Sequence, residues 1–216
     1  MPVDMARTKA FLPLILPFCP ECPDFLAEQH ARFAAIEFCE RSRAWRHLTT
    51  VEITGAAGTP VAPDVAAIHE IEFAKFNGKP LTPVQFSTIE AASVGLPRYV
   101  TQVSPNELTV SPFEEPGTLE VSVFLKPLTG SEFSTDLNDP LFDRFNVVPQ
   151  FMVDIHGGTI AAGALAKLLS IPREPWTDER KAARYAIEFR ERLDNAFRWN
   201  MRGQQRAPIR TVFRDF

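Results

Sequence analysis

Between Asn146 and Arg202 apolar residues recur twice with helical spacing. Phe151, Ile155, Ala162, Leu165 and Leu169 mark one face of a helix over Gln150–Ile171, with Pro149 suited to its first turn. Pro172 stops that helix, and Pro175 delays the next until Thr177, an N-cap followed by Asp178 and Glu179 at the positive end of the helix dipole. The second arm, Asp178–Arg202, places Ala182, Ala186, Phe189, Leu193, Ala196 and Phe197 on one stripe, with charged residues opposite. Arms this close in sequence predict an antiparallel helical hairpin. A further helix is predicted over Asp24–Trp45, with Leu26, Phe33, Ile36 and Phe38 as its apolar contacts and Arg41, Arg43 and Arg46 at its end.

Elsewhere the spacing changes to two. Thr49–Thr54, Ile68–Phe76, Arg98–Val103, Glu107–Ser111 and Thr118–Leu125 read as strands, Asn77-Gly78 as a hairpin turn, and Ser104-Pro105-Asn106 as a second turn. Thr82-Pro83-Val84-Gln85 has the form of a capping box and predicts a short helix over Pro83–Ala92. Residues 1–22 alternate apolar residues with prolines and read as an extended arm. The predicted fold is therefore α+β: an antiparallel helical bundle built on a long C-terminal hairpin, with a β-rich insertion after the first helix. The divisions are 1–48 (arm and first helix), 49–127 (insertion), 128–149 (connector), 150–203 (hairpin) and 204–216 (basic tail).

Composition adjusts this picture. The chain has 216 residues, of which 45% are hydrophobic, enough for a core in one domain. Phe11–Phe18 is interrupted by Pro13 and Pro17 and lacks a small-residue cleavage site, so a signal peptide and a membrane role are not expected and synthesis in the cytoplasm is. Net charge is -4, unevenly spread: from Arg173 onward eleven basic residues face seven acidic ones, net +4, which leaves -8 before it. A basic end on an acidic body fits contacts between copies or with an acidic partner. Eighteen Phe against two Tyr point to buried cores or interfaces.

Chemistry is sparsely signalled. The sequence has no nucleophile elbow, phosphate-binding loop, dinucleotide fingerprint or zinc-protease motif. Cys19 and Cys22 form a CxxC, but His30 and Cys39 lie at irregular spacing from it, and no βαβ pattern surrounds it. These cysteines read as small hydrophobes, with no metal or cofactor expected. Asp136, Asp139 and Asp143 resemble a calcium loop that Pro140 interrupts, and read as solvated loop. His156-Gly157-Gly158 resembles part of an esterase oxyanion loop inside a helical pattern. Glycines 157, 158 and 163 read better as letting another helix approach. An acid/base pair of Asp154 and His156 would define an enzyme reading. Arg184, Arg198, Arg202, Arg206 and Arg210 would define a DNA-binding one, which the interleaved acids oppose.

Certain stretches, taken in order, carry a resemblance: Ala34–Trp45 (AAIEFCERSRAW), Leu96-Pro97-Arg98-Tyr99-Val100, Glu107–Pro112 (ELTVSP), Val123–Pro127 (VFLKP), Gly163–Leu169 (GALAKLL) before Pro172 and Pro175-Trp176, the helix Ala182–Asn200, and Arg206-Ala207-Pro208-Ile209-Arg210. With them the chain resembles the head–tail adaptor (connector) proteins of tailed bacteriophages. The resemblance implies a non-catalytic virion protein at the head–tail interface, forming a closed ring of about twelve copies under the portal. The ring would extend the DNA channel, let double-stranded DNA pass without specific binding, and offer a platform to a tail or nozzle protein. It further implies that the C-terminal tail reaches the portal protein, with Arg206, Ile209, Arg210, Phe213 and Phe216 as its contact residues.

Overall fold

A computed structural model describes residues 3–88, 93–128 and 146–201. Its centre is β8 (Gly117–Pro127), where Leu119, Val121, Val123 and Leu125 are fully buried. These four make one face of its pleat; the other carries Glu120, Ser122, Phe124 and Lys126, with Ser122 Oγ donating to Glu72 at 2.7 Å. On its flanks pair β2 (Arg46–Ile53) and β4 (Ala66–Phe76), both antiparallel. The sheet continues from β4 through β5 (Lys79–Pro83), β6 (Tyr99–Ser104) and β7 (Glu107–Ser111) to β3 (Thr59–Pro60). The strand order β2-β8-β4-β5-β6-β7-β3 makes a seven-stranded, nearly closed, barrel-like sheet.

That sheet corrects the expected fold class. The chain is a mixed α/β structure and not a helical bundle carrying an insertion. The physical reason lies in the strands. They bury their own core (Ile53, Leu81, Val100, Leu108, Val110) and present β8 to α2 (Asp24–Ser42), which packs on it. Trp45, 2% exposed, fills the junction between α2 and β2. Helix α2 is thus a shared wall: its small residues Ala27, Ala31, Ala34 and Ala35 are fully buried within the core.

The helical layer consists of α2, α4 (Gly157–Leu168) and α5 (Glu179–Met201), which pack on one another. The second arm starts where the pattern placed it, although the cap is Asp178 and not Thr177: Asp178 Oδ1 accepts the Lys181 N–H at 3.0 Å. The first arm is broken. A short α3 (Gln150–Asp154) ends at Ile155-His156 before α4 begins, so Gln150–Ile171 is not one helix. Gly157-Gly158 is the local cause, since glycine costs a helix interior about 1 kcal/mol relative to alanine.

Two further readings are corrected. The proline-bearing arm is largely helical, with β1 (Met5–Arg7) followed by turns over Thr8–Phe11, α1 (Leu12–Ile15) and Leu16–Phe18. Pro13 and Pro17 sit in first turns, where no N–H is required. The predicted helix over Pro83–Ala92 is instead the end of β5, parallel to β6 through Thr82↔Tyr99 and Pro83↔Val100, then one 3-10 turn, Phe86–Thr88. Residues 89–92 lie outside the described residues. β1 pairs with β9 (Val147–Pro149), and a node of Thr8, Glu28, Arg32 and Asn146 ties the arm to α2 and to the residue that leads into β9.

Candidate functional site

At the C-terminal end of α5 the helical layer leaves a groove of about 670 Å³, lined by Ala44, Phe151, Ile155, His156, Ala196, Trp199 and Asn200. Three elements build it. Breaking the first arm at Ile155 rotates that side chain out of the core stripe to which its spacing assigned it, and it is 71% exposed. Phe151 and His156 form the floor, with the His156 ring on Phe38 at 4.6 Å between centroids. Trp199, 53% exposed, forms a wall. Sequence reasoning passed over Trp199. Its signal was available: an aromatic among Arg198 and Asn200 on the polar side of an amphipathic helix.

The groove is held open by a well-anchored rim. Asn200 Nδ2 donates to the Ser42 carbonyl at 2.7 Å, fastening the end of α5 to the end of α2. Arg43 closes α2 in the left-handed region (φ 54), with its N–H donating to the Cys39 carbonyl. Its guanidinium reaches Glu70 at 2.8 Å and lies over Phe124 and Phe197 at 5.7 and 5.6 Å. One side chain thereby links α2, the sheet and α5. The left-handed backbone costs a non-glycine residue about 1 kcal/mol, which these contacts offset.

The expected portal contacts, Arg206, Ile209, Arg210, Phe213 and Phe216, lie outside the described residues, as do Arg202 and the Asp136, Asp139 and Asp143 loop. Of the remaining arginines of the DNA-binding reading, Arg184 and Arg198 are exposed on α5, where Arg192 pairs with Glu188 at 2.6 Å. The structure does not join Asp154 to His156. Asp154 Oδ1 accepts from Gln150 Nε2 at 2.8 Å, while His156 is half-buried among aromatic rings. Burial lowers the His156 pKa below its ordinary 6.5.

Cys19, Cys22 and Cys39 are free and buried. Burial first, and Cys22 beside it second, push the Cys19 thiol up to about 12. Burial likewise raises Cys22 and Cys39, so all three are held as thiols, poor nucleophiles and poor metal ligands. Among the described residues no group of three or more His, Cys, Asp or Glu could hold a metal ion. Also among them, no helix is long and apolar enough to cross a membrane.

The glycine reading holds at Gly163, whereas a Cβ on Gly157 or Gly158 would meet only the ends of the Leu14 and Arg192 side chains. A Cβ on Gly163 would stand 2.8 Å from Phe189 and 3.0 Å from Ala34, so α4 meets both α5 and α2 at this point. A second apolar hollow, of about 140 Å³, lies at the β6–β7 end of the sheet beside Phe86, Val103 and Phe113. Comparison with protein-family models and with curated proteins returns no match.

Proposed function

We propose that this protein is a structural subunit of a tailed-phage head–tail adaptor ring, assembled under the portal and offering a platform to the tail. The resemblance of its ordered sequence stretches supports the reading. The observation that carries it is the groove beneath Ile155 and Trp199, an exposed apolar surface at the end of α5 from which the basic tail departs. Ile155 and Trp199, both large, apolar and exposed, line one groove and offer a neighbouring subunit a surface to cover. The hollow at the β6–β7 end gives a second region for a neighbour. A ring subunit, covered on several sides, accounts for both.

The reading predicts a division of labour that deletion can test. Removing Gln204–Phe216 leaves a folded protein, with an unchanged melting temperature, that no longer associates with the portal. Ile155 is 71% exposed in the free chain, so Ile155→Asp leaves the fold intact and weakens assembly at least tenfold. Co-sedimentation with portal rings measures both. Association at the wild-type level by either variant contradicts the proposed contact.

A further inference from the structure

Among the described residues, strand β2 stands at one end of the sheet order and bonds on one side only, to β8. Its hydrogen-bonding phase follows from a single contact: the Leu125 N–H donates to the Trp45 carbonyl at 2.8 Å. In an antiparallel ladder, bonded pairs recur every second residue, so His47, Thr49, Val51 and Ile53 direct their backbone groups to β8. The far side of β8 agrees. Asn77 N–H donates to the Thr118 carbonyl at 2.9 Å, which commits the alternate residues of β8 to β4. Arg46, Leu48, Thr50 and Glu52 therefore turn their N–H and C=O groups to the open edge, and among the described residues no backbone hydrogen bond reaches them. Their side chains share one exposed face, Leu48 at 61%.

An edge of this length, with β-branched residues and an exposed leucine, is a template for another strand. We propose that β2 pairs with β2 of a second copy, antiparallel about a two-fold axis at Thr49, and that the free protein is a dimer through this contact. Outward-facing residues must meet outward-facing residues, which restricts the registers. The one centred on Thr49 uses all of them. It sets Arg46 opposite Glu52 of the second copy, Leu48 opposite Thr50 and His47 opposite Val51. By symmetry the opposite-charge pair occurs twice, in the position where cross-strand pairs contribute to pairing. Arg46 is already oriented at this end, with its guanidinium on Glu72 at 2.8 Å and over Phe124 at 5.3 Å. It retains donors for a second carboxylate. Glu52 makes no ion pair among the described residues. A two-fold contact cannot itself close a ring. The dimer is therefore a state of the free subunit, and its argument stands independently of the adaptor reading.

The test is the mass of the full-length chain by analytical ultracentrifugation over a concentration series. The wild type sediments as two subunits. Arg46→Glu and Glu52→Arg each place like charges opposite one another and raise the dissociation constant about tenfold. An equimolar mixture of the two variants restores both attractive pairs and returns the two-subunit species, which a merely structural role for either residue would not produce. Thr50→Pro removes an N–H that β8 does not use, so the fold survives and the dimer is lost. Should that variant fail to fold, the charge exchange decides alone. Amide exchange at Thr50 slows with rising protein concentration if the edge is covered by a second copy. A wild type of one subunit at every concentration, variants that dimerise unchanged, or a mixture that does not re-form the dimer overturns the proposal. So does concentration-independent protection of the Thr50 amide, the result expected if another segment of the same chain covers the edge.

Discussion

His156 is the residue whose surroundings differ most from what its neighbours in sequence implied. Its ring lies tilted against Phe38 and edge-on to Phe151, and burial lowers its pKa from 6.5. In the folded chain it resists protonation, whereas the unfolded chain takes up a proton near 6.5. Its contribution to stability is therefore complete above that pH and is lost as pH falls through the window between the unfolded and the lowered folded value. His30 and His47 are lowered as well, burial being the first cause in each, and add to the same acid-side loss. His156→Phe keeps a ring against Phe38 and removes the titration. Melting temperature plotted against pH below 6.5 becomes shallower in the variant than in the wild type. Parallel curves would show that the histidine is not responsible. Asp154, two residues away, does not share a hydrogen bond with it, and sequence proximity had suggested a pairing that α3 turns into a bond with Gln150.

Among elements, the helix crossing at Gly163 is the tightest joint in the helical layer. Gly163→Val would set methyl-bearing carbon against Phe189 and Ala34. Overpacking of this kind costs about 1–3 kcal/mol, more than the gain of up to about 1 kcal/mol from replacing a helical glycine. An unfolding free energy lowered by about that amount, with a lower denaturation midpoint and helix content retained, is the expected result. An unchanged or raised midpoint would mean that the helices can part without loss. The glycine's role was legible because small residues at helical spacing have few other uses. The strands were legible for a similar reason: alternation in Thr49–Thr54 and Thr118–Leu125 maps directly onto β2 and β8. The imperfect alternation of Ile68–Phe76 has a physical cause in two register shifts on β4, between Ile68 and Glu70 and between Ile71 and Phe73. Each adds a residue to one strand only and exchanges its faces. The capping-box pattern at Thr82 misled because Pro83 serves equally well at a strand end, where β5 meets β6 in parallel.

At the scale of the whole molecule, local periodicity located most elements and could not say which of them would form the centre. The helical hairpin was the strongest single pattern, yet the molecule is organised around β8, whose partners β2 and β4 are distant in sequence. Pairing over such separations leaves no trace in a window of ten or fifteen residues. The groove was legible only in part for the same reason. Its exposed residues, Ile155 and Trp199, come from a helix break and a helix end that α2 brings together. We propose that these surfaces serve assembly on a portal. The most direct measurement is the mass of tailed-phage portal rings before and after incubation with the full-length chain. A single heavier species that has gained about twelve subunits of 24.2 kDa each is expected, with no gain for the chain lacking Gln204–Phe216. Portal rings of unchanged mass beside a saturating excess of folded protein would contradict it.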